Sequence, residues 1–122
     1  MKLRILSNSL RLRLSQTEIE TLKSERQVWG KTNFSNSEFI YSLIINDSEE
    51  DVSAEFENGH LKVKLAKTIA ADWIESEQVD IRNIDDSSIK ILIEKDFQCL
   101  KKRQGEDESD SFPNPLAETS KE

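Results

Sequence analysis

The sequence has few of the residues that usually mark a specialised chemistry. Its 122 residues include one cysteine, one histidine, three glycines and two prolines. Cys99 has no partner for a disulfide within the chain, which is typical of proteins from a reducing compartment. A single histidine, His60, excludes a histidine-based relay and a dense set of zinc ligands. No glycine-rich phosphate loop, nucleophile elbow or dinucleotide fingerprint occurs.

Long apolar runs and a positive net charge are also missing. The net charge is −7, and residues 104–122 contribute −5 of it. The first five residues alternate charge and hydrophobe, so they form no signal-peptide core, and no later run approaches a membrane span in length. Nucleic acids and anionic membranes both attract cationic proteins. We therefore expect a cytoplasmic protein with no nucleic-acid or membrane partner.

Hydrophobic periodicity and turn residues predict an α+β chain. Ser15 and Glu18 have the spacing of a capping box, which predicts a helix that ends at about Arg26. Asn58-Gly59 predicts a type I′ hairpin turn, because both central residues must take positive φ. A second helix is predicted over residues 68–76. Strands are predicted over residues 2–6, 10–14, 27–34, 38–45, 52–57, 60–65, 79–84 and 88–94.

The two halves of the chain match each other at an offset of 51 residues. Leu10 to Leu14 aligns with Leu61 to Leu65, and Gln27-Val28 aligns with Gln78-Val79. This match predicts two pseudo-repeated units of β-hairpin, helix and strand, over residues 2–45 and 52–95. Binary patterning alone also produces a weak match of this kind. We expect one mixed, strongly twisted sheet or closed barrel of about seven or eight strands, covered by the two helices.

The chain is predicted to form one domain, residues 1–103, followed by an acidic segment, residues 104–122. The composition of this segment is too polar for it to order by itself. Phe112, Pro113, Pro115 and Leu116 nevertheless form a compact apolar cluster. We therefore expect residues 112–116 to dock against the domain.

Three segments carry a resemblance to a known family: residues 2–5 with 8–14, residues 94–100, and Phe112 to Pro115. The chain resembles a family of small uncharacterised proteins found mainly in Bacteroidota bacteria. The resemblance implies a compact α+β domain of unknown function. It implies no catalytic residue, but it suggests that Phe112 to Pro115 belongs to the folded unit.

The first predicted hairpin carries an unusual charge pattern. If its register follows that of the second hairpin, Arg4 lies opposite Arg11 and Lys2 lies opposite Arg13. Lys2, Arg4, Arg11 and Arg13 then share one face. In the second hairpin, Phe56 with Leu61 and Ala54 with Val63 face inward. There Glu55 opposes Lys62 on the outer face.

Like charges opposite each other destabilise a sheet, so something should compensate for them. One interpretation is internal: Glu38, Glu94 or Asp96 on a neighbouring strand, or the acidic residues 106–110, neutralise the face. The other interpretation is an anionic partner, either a phosphorylated small molecule or an acidic protein surface, that the arginines grip through bidentate hydrogen bonds.

The remaining candidate residues favour ordinary structural roles. His60 follows a hairpin turn and is expected to be an exposed surface residue. Cys99 is expected to be a buried thiol, although lysines lie nearby in sequence. Glu106, Asp107, Glu108 and Asp110 lack EF-hand spacing, which favours a solvated loop. Trp29 and Trp73 are expected to be packing residues rather than a ligand-stacking pair.

The sequence therefore leads to two functional hypotheses. The first is a non-enzymatic binding module that uses Lys2, Arg4, Arg11 and Arg13, with no catalytic residue, metal or cofactor. The alternative is a metal-dependent enzyme that binds triphosphates or phosphate esters through the same cations. Glu55 to Glu57 with Lys62 and Lys64 is weakly similar to the acidic signature of CYTH proteins. Here, however, the turn at Asn58-Gly59 divides the acids from the lysines.

Overall fold

The computed structural model of the protein describes residues 1–84 and 89–96. It contains ten elements, in the order β1 (Lys2–Leu6), β2 (Ser9–Leu14), α1 (Gln16–Glu25), β3 (Gln27–Asn33), β4 (Glu38–Asn46), β5 (Val52–Glu57), β6 (His60–Ala66), α2 (Lys67–Glu75), β7 (Asp80–Arg82) and β8 (Lys90–Lys95). The α+β class is therefore confirmed. In the part of the chain that the structure describes, no helix is long and apolar enough to cross a membrane.

Helix α1 begins and ends as its sequence signals predict. The backbone N–H of Glu18 donates to Ser15 Oγ at 3.2 Å, and the backbone N–H of Ser15 donates to Glu18 Oε1 at 2.8 Å. These two bonds are the predicted capping box. The helix ends at Arg26, which adopts a left-handed conformation with φ 66° and donates its N–H to Leu22 O. This cap turns the chain directly into β3.

Both predicted hairpins are present in the predicted register. Asn58 and Gly59 take φ values of 53° and 76°, as a type I′ turn requires. Phe56 pairs with Leu61, and Ala54 pairs with Val63. In the first hairpin Ile5 pairs with Leu10 and Leu3 with Leu12. Its turn has two residues, because Ser9 already belongs to β2.

The strands form two four-stranded sheets, so the expectation of one sheet or a closed barrel is wrong. The strand order is β1-β2-β8-β7 in the first sheet and β3-β4-β6-β5 in the second. Each sheet is mixed, because β2 runs parallel to β8 and β4 runs parallel to β6. A barrel would need hydrogen bonds that join the sheets. β4 is an internal strand of the second sheet.

Each sheet combines two adjacent strands from each half of the chain. The first sheet contains β1 and β2 with β7 and β8, and the second contains β3 and β4 with β5 and β6. The bonds that connect them occupy matching places: Ile40 N–H donates to Gly59 O at 2.9 Å, and Lys90 N–H donates to Asn8 O at 3.1 Å. After α2 the offset of 51 is not kept. Ile81 lies opposite Ile93 as Val28 lies opposite Leu43, so the offset is 53 in β7 and 50 in β8. The internal duplication itself stays a prediction.

One hydrophobic core joins both sheets and both helices. It contains Leu12 and Ile93 from the first sheet, Leu65 from the second, and Leu22 and Trp73 from the helices, all 0% exposed. Trp73 also donates its Nε1–H to Val79 O at 3.0 Å, so its predicted role in packing is confirmed. Trp29 is 58% exposed, so the prediction that it is a packing residue is wrong. The residue lies on the outer side of an edge strand.

Some predicted boundaries differ from the structure, and some predictions lie outside it. β7 (Asp80–Arg82) is shorter than the predicted strand over residues 79–84, although Val79 O still accepts a hydrogen bond from Lys95 N–H of β8. Three predictions fall outside the described residues: a buried Cys99, a solvated acidic loop over residues 106–110, and docking of residues 112–116.

Candidate functional site

The four predicted cations share one surface of the first sheet. Arg4 pairs with Arg11 and Lys2 pairs with Arg13, as the hairpin register predicts. Residues paired across neighbouring strands point to the same side of a sheet. All four cations line a shallow hollow of about 200 Å³. We call this surface the outer face of the first sheet.

Glu94 neutralises part of this face from the neighbouring strand β8. Arg11 donates Nε–H to Glu94 Oε2 at 2.6 Å and Nη2–H to Oε1 at 3.5 Å. Arg13 Nη2 lies 3.7 Å from the same Oε2. The Glu94 side chain is only 14% exposed, so these contacts are partly shielded from water. Its hydrogen bond raises the pKa of Arg11, which keeps that guanidinium charged.

Two of the three proposed neutralising acids lie where the internal interpretation needs them. Asp96 Oδ2 lies 3.2 Å from Lys2 Nζ, beside the Glu94 cluster. The prediction that Glu38 neutralises this face is wrong, because Glu38 lies on the second sheet, where its Oε2 is 3.7 Å from Lys31 Nζ. Among the described residues, Arg4 has no carboxylate partner within 4 Å, and its side chain is exposed. The acids therefore cover only one end of the face.

The sequence hypotheses missed two further cations on the same face. Arg11 pairs with Leu92, and Leu92 pairs with Arg82 on β7. Arg4, Arg11, Leu92 and Arg82 therefore form one row across four strands. Lys90 lies two residues before Leu92 and shares its side of the sheet. The alternation within β7 and β8 indicates that these side chains point outward, but only the long-range pairing with β2 places them beside Arg11.

The row borders a cavity of about 520 Å³ near the turn of the first hairpin. Arg4, Arg11, Arg82 and Lys90 line it, and Leu92 contributes apolar surface between the arginines. No Asp or Glu is among the described residues of its lining. Arg82 is 71% exposed, and its contact with Asp80 is long, at 3.9 Å. Counting only residues 1–84 and 89–96, the cavity is therefore the most cationic part of the face.

The corresponding face of the second sheet is electrically balanced. Its strands present three lysines and three glutamates, which are Lys31, Lys62, Lys64, Glu38, Glu55 and Glu57. Lys64 Nζ lies 3.0 Å from Glu55 Oε2, diagonal to the predicted partner Lys62. This contact lowers the pKa of Glu55 and raises that of Lys64. By contrast, the strands of the first sheet present six cations and two carboxylates on the outer face.

His60 is half-buried, so its predicted place on the exposed surface is wrong. Its Nε2 lies 2.9 Å from Ser42 Oγ. Ser42 is 3% exposed, so a substrate has little access to this hydroxyl. In the described part of the chain, no group of three or more potential ligands is placed to hold a metal ion.

A second cavity, of about 310 Å³, opens between the two sheets beside the first hairpin. Its lining is mainly apolar and includes Ile5, Phe39, Phe56 and Leu61. Phe56 faces inward as predicted, but it lies at this opening and is 64% exposed. Phe39 stacks on Tyr41 at a ring-centroid distance of 6.0 Å and lies tilted against Phe56 at 6.1 Å.

Comparison with known proteins gives a family and no activity. No curated protein matches the chain. No solved structure matches it either. One family model covers residues 1–116, which is nearly the whole chain. The protein therefore belongs to a family of unknown function, DUF7009.

Proposed function

We propose that this protein is a non-enzymatic binding module that holds an anionic partner on the outer face of its first sheet. The cationic hairpin residues Lys2, Arg4, Arg11 and Arg13 provide the contact surface. The observation that carries the proposal is the charge difference between the two sheets. One outer face is balanced, whereas the strands of the other present six cations against two carboxylates, Glu94 and Asp80. Asp96, just beyond β8, adds a third carboxylate beside Lys2.

The placement of the acids supports a site at the turn end of this face. Glu94 and Asp96 hold cations at the opposite end. Arg4 has no carboxylate within 4 Å in the described part, and the cavity that it lines contains no described acid. Placing like charges together costs free energy, and a bound anion would offset that cost. Guanidinium groups bind phosphate or carboxylate through paired hydrogen bonds.

A concave site favours a small anionic molecule over an acidic protein surface. The cavity volume, about 520 Å³, lies in the range of roughly 300 to 1,000 Å³ that is usual for small-molecule sites. An acidic protein surface is the other candidate partner. We place the binding in the cytoplasm, because Cys99 is the single cysteine and has no intrachain partner, which is typical of a reducing compartment. The resemblance to a family found mainly in Bacteroidota favours a bacterial cell.

An internal duplication is part of this proposal. The exchange of hairpins between the halves and the matching hydrogen bonds at Gly59 and Asn8 support it. Under duplication, Arg4 and Arg11 correspond to Glu55 and Lys62 on the second sheet. The two faces would then share one geometry, and only the first would have become cationic. The second sheet therefore provides matched control positions.

Retention on phosphocellulose at low salt tests the proposal, because the protein as a whole is acidic and only a local cationic surface can hold it there. The wild-type protein is expected to be retained. Arg4→Gln should elute at lower salt, whereas Lys62→Gln, which makes the same change of charge on the second sheet, should elute with the wild type. A wild-type protein that flows through, or equal shifts for the two variants, would contradict the proposal.

A further inference from the structure

The geometry of the cavity of about 520 Å³ favours an anion with a phosphate group. Arg4 and Arg11 lie on paired positions of neighbouring strands, where Cα atoms are about 4.5 to 5.5 Å apart. Two guanidinium groups that start so close together can grip the same phosphate. Glu94 binds Arg11 mainly through Nε, which holds this side chain in place and leaves its Nη1 donors available. Lys90 adds a third positive charge to the cavity wall.

Arg82 is too far from Arg4 and Arg11 to bind the same phosphate group as they do. It lies two strands from Arg11, a distance of roughly 9 to 10 Å between backbones. Leu92, which is half-buried, lies between them and presents apolar surface to the cavity. A compact inorganic ion held by Arg4 and Arg11 would leave this apolar surface and Arg82 unused.

A ligand with a planar or apolar body would use the whole row. Such a body over Leu92 removes apolar surface from water. A planar ring that reaches Arg82 can stack on its guanidinium group, because this group is flat and only weakly hydrated. Arg82 is 71% exposed and therefore has room to make this contact. The row thus has a phosphate end, an apolar middle and a stacking end.

Building on the anion-binding function proposed above, we infer that the ligand is an organic phosphate of mononucleotide size. Its phosphate lies between Arg4 and Arg11, with Lys90 nearby, and its ring lies over Leu92 against Arg82. Arg82 and Lys90 are thereby assigned to the site as ligand-binding residues. The cavity volume, about 520 Å³, has room for both parts of such a molecule.

Calorimetric titration with adenosine monophosphate, ribose 5-phosphate, inorganic phosphate and adenosine tests this inference on the full-length protein. Adenosine monophosphate is expected to bind about tenfold or more tightly than inorganic phosphate, with ribose 5-phosphate between them. Adenosine should bind too weakly to measure. Arg82→Ala should bring the affinity for adenosine monophosphate down to that of ribose 5-phosphate and leave phosphate binding unchanged. Lys62→Ala on the second sheet is the matched control and should leave every affinity unchanged.

The other outcomes separate this inference from the function on which it rests. Equal affinity for adenosine monophosphate and inorganic phosphate would leave an anion site and overturn the ligand class. Adenosine monophosphate binding that Arg82→Ala does not weaken would also overturn it. No binding of any phosphate, or binding that Arg4→Gln leaves unchanged, would overturn the proposed function as well. Arg4 and Arg82 are exposed, so both variants are expected to fold, and a thermal melt of each checks this.

Discussion

At the residue scale, Glu94 competes directly with any anion that approaches the first hairpin. Its carboxylate contacts both Arg11 and Arg13, and it is far less exposed than either of them. It therefore stabilises the fold by separating two like charges and holding Arg11 in place. It also cancels part of the positive field that an anionic partner would meet. The Glu94 carboxylate therefore raises the stability of the fold and lowers the affinity of this face for anions.

Glu94→Gln should therefore lower stability and raise affinity for anions together. The amide still accepts a hydrogen bond from Arg11 but carries no charge, so unfolding should become easier by about 1 to 2 kcal/mol. Retention on phosphocellulose should increase, because the face loses one of its carboxylates. Glu38→Gln is the control, since it makes the same charge change on the second sheet. A Glu94→Gln variant retained more weakly than the wild type would contradict this interpretation.

Residue 30 must be a glycine, because the side chain of the residue paired with it lies too close to leave room for a Cβ atom. Gly30 lies opposite Tyr41, and a Cβ at residue 30 would lie 2.6 Å from the Tyr41 ring. The ring has little freedom to move away, because it stacks on Phe39 and its hydroxyl donates to Met1 O at 3.1 Å.

Gly30→Ala should therefore destabilise the protein by about 1 to 3 kcal/mol, as overpacking in a filled site usually does. Chemical denaturation measures this change. In a Tyr41→Ala background the same substitution should be nearly neutral, because the clash is then gone. Equal losses in the two backgrounds would show that the Tyr41 ring is not the cause.

At the scale of single elements, short-range signals control the hairpins and the first helix. A two-residue turn fixes which residues of its two strands face each other, so the pairs Arg4 with Arg11 and Lys2 with Arg13 follow from the sequence alone. The capping box at Ser15 likewise depends only on residues three apart. The cationic hairpin face was predictable for this reason.

The rest of the candidate site was not predictable from such signals. Arg82 and Lys90 come next to Arg11 only because β8 pairs in parallel with β2, more than 75 residues away in sequence. Alternating hydrophobicity tells which side of a strand is polar, but it does not tell which strand is the neighbour. Choosing Glu94 and Asp96 over Glu38 as the neutralising acids required the same long-range information.

The second hairpin turn allows a direct test of local control. Gly59 has φ 76°, and a Cβ there would lie 2.9 Å from Glu38 O. Gly59→Ala should lower stability by about 1 to 3 kcal/mol, because an L side chain strains this conformation and the neighbouring strand must shift. Asn58→Gly is the matched control, since φ 53° suits glycine, and it should change stability by less than about 1 kcal/mol. Similar melting curves for the two variants would contradict the backbone argument.

At the scale of the whole molecule, neither half of the chain contains a complete sheet. The first hairpin needs β7 and β8 from the second half, and the second hairpin needs β3 and β4 from the first half. Strands follow one another at regular intervals in both halves of the sequence, and this spacing is equally compatible with one continuous sheet. The sequence led to the expectation of a single sheet or barrel because periodicity does not encode how the hairpins are divided between sheets.

This exchange predicts how the chain behaves when it is cut between residues 50 and 51, in the exposed connection before β5. Each fragment alone should be largely unfolded, because Leu12 and Val63 lose the β8 and β4 neighbours that bury them. Asp51 stays with the second fragment, where its carbonyl accepts from Ala66 N–H at 3.1 Å. Equimolar mixing should restore both sheets at once, since the two strand pairs that join the halves, β2 with β8 and β4 with β6, share one core. Circular dichroism of the separate and mixed fragments measures this, with the intact chain as the reference. If fragment 1–50 folds alone as a monomer with a cooperative melt, the exchange of hairpins is not what holds the molecule together.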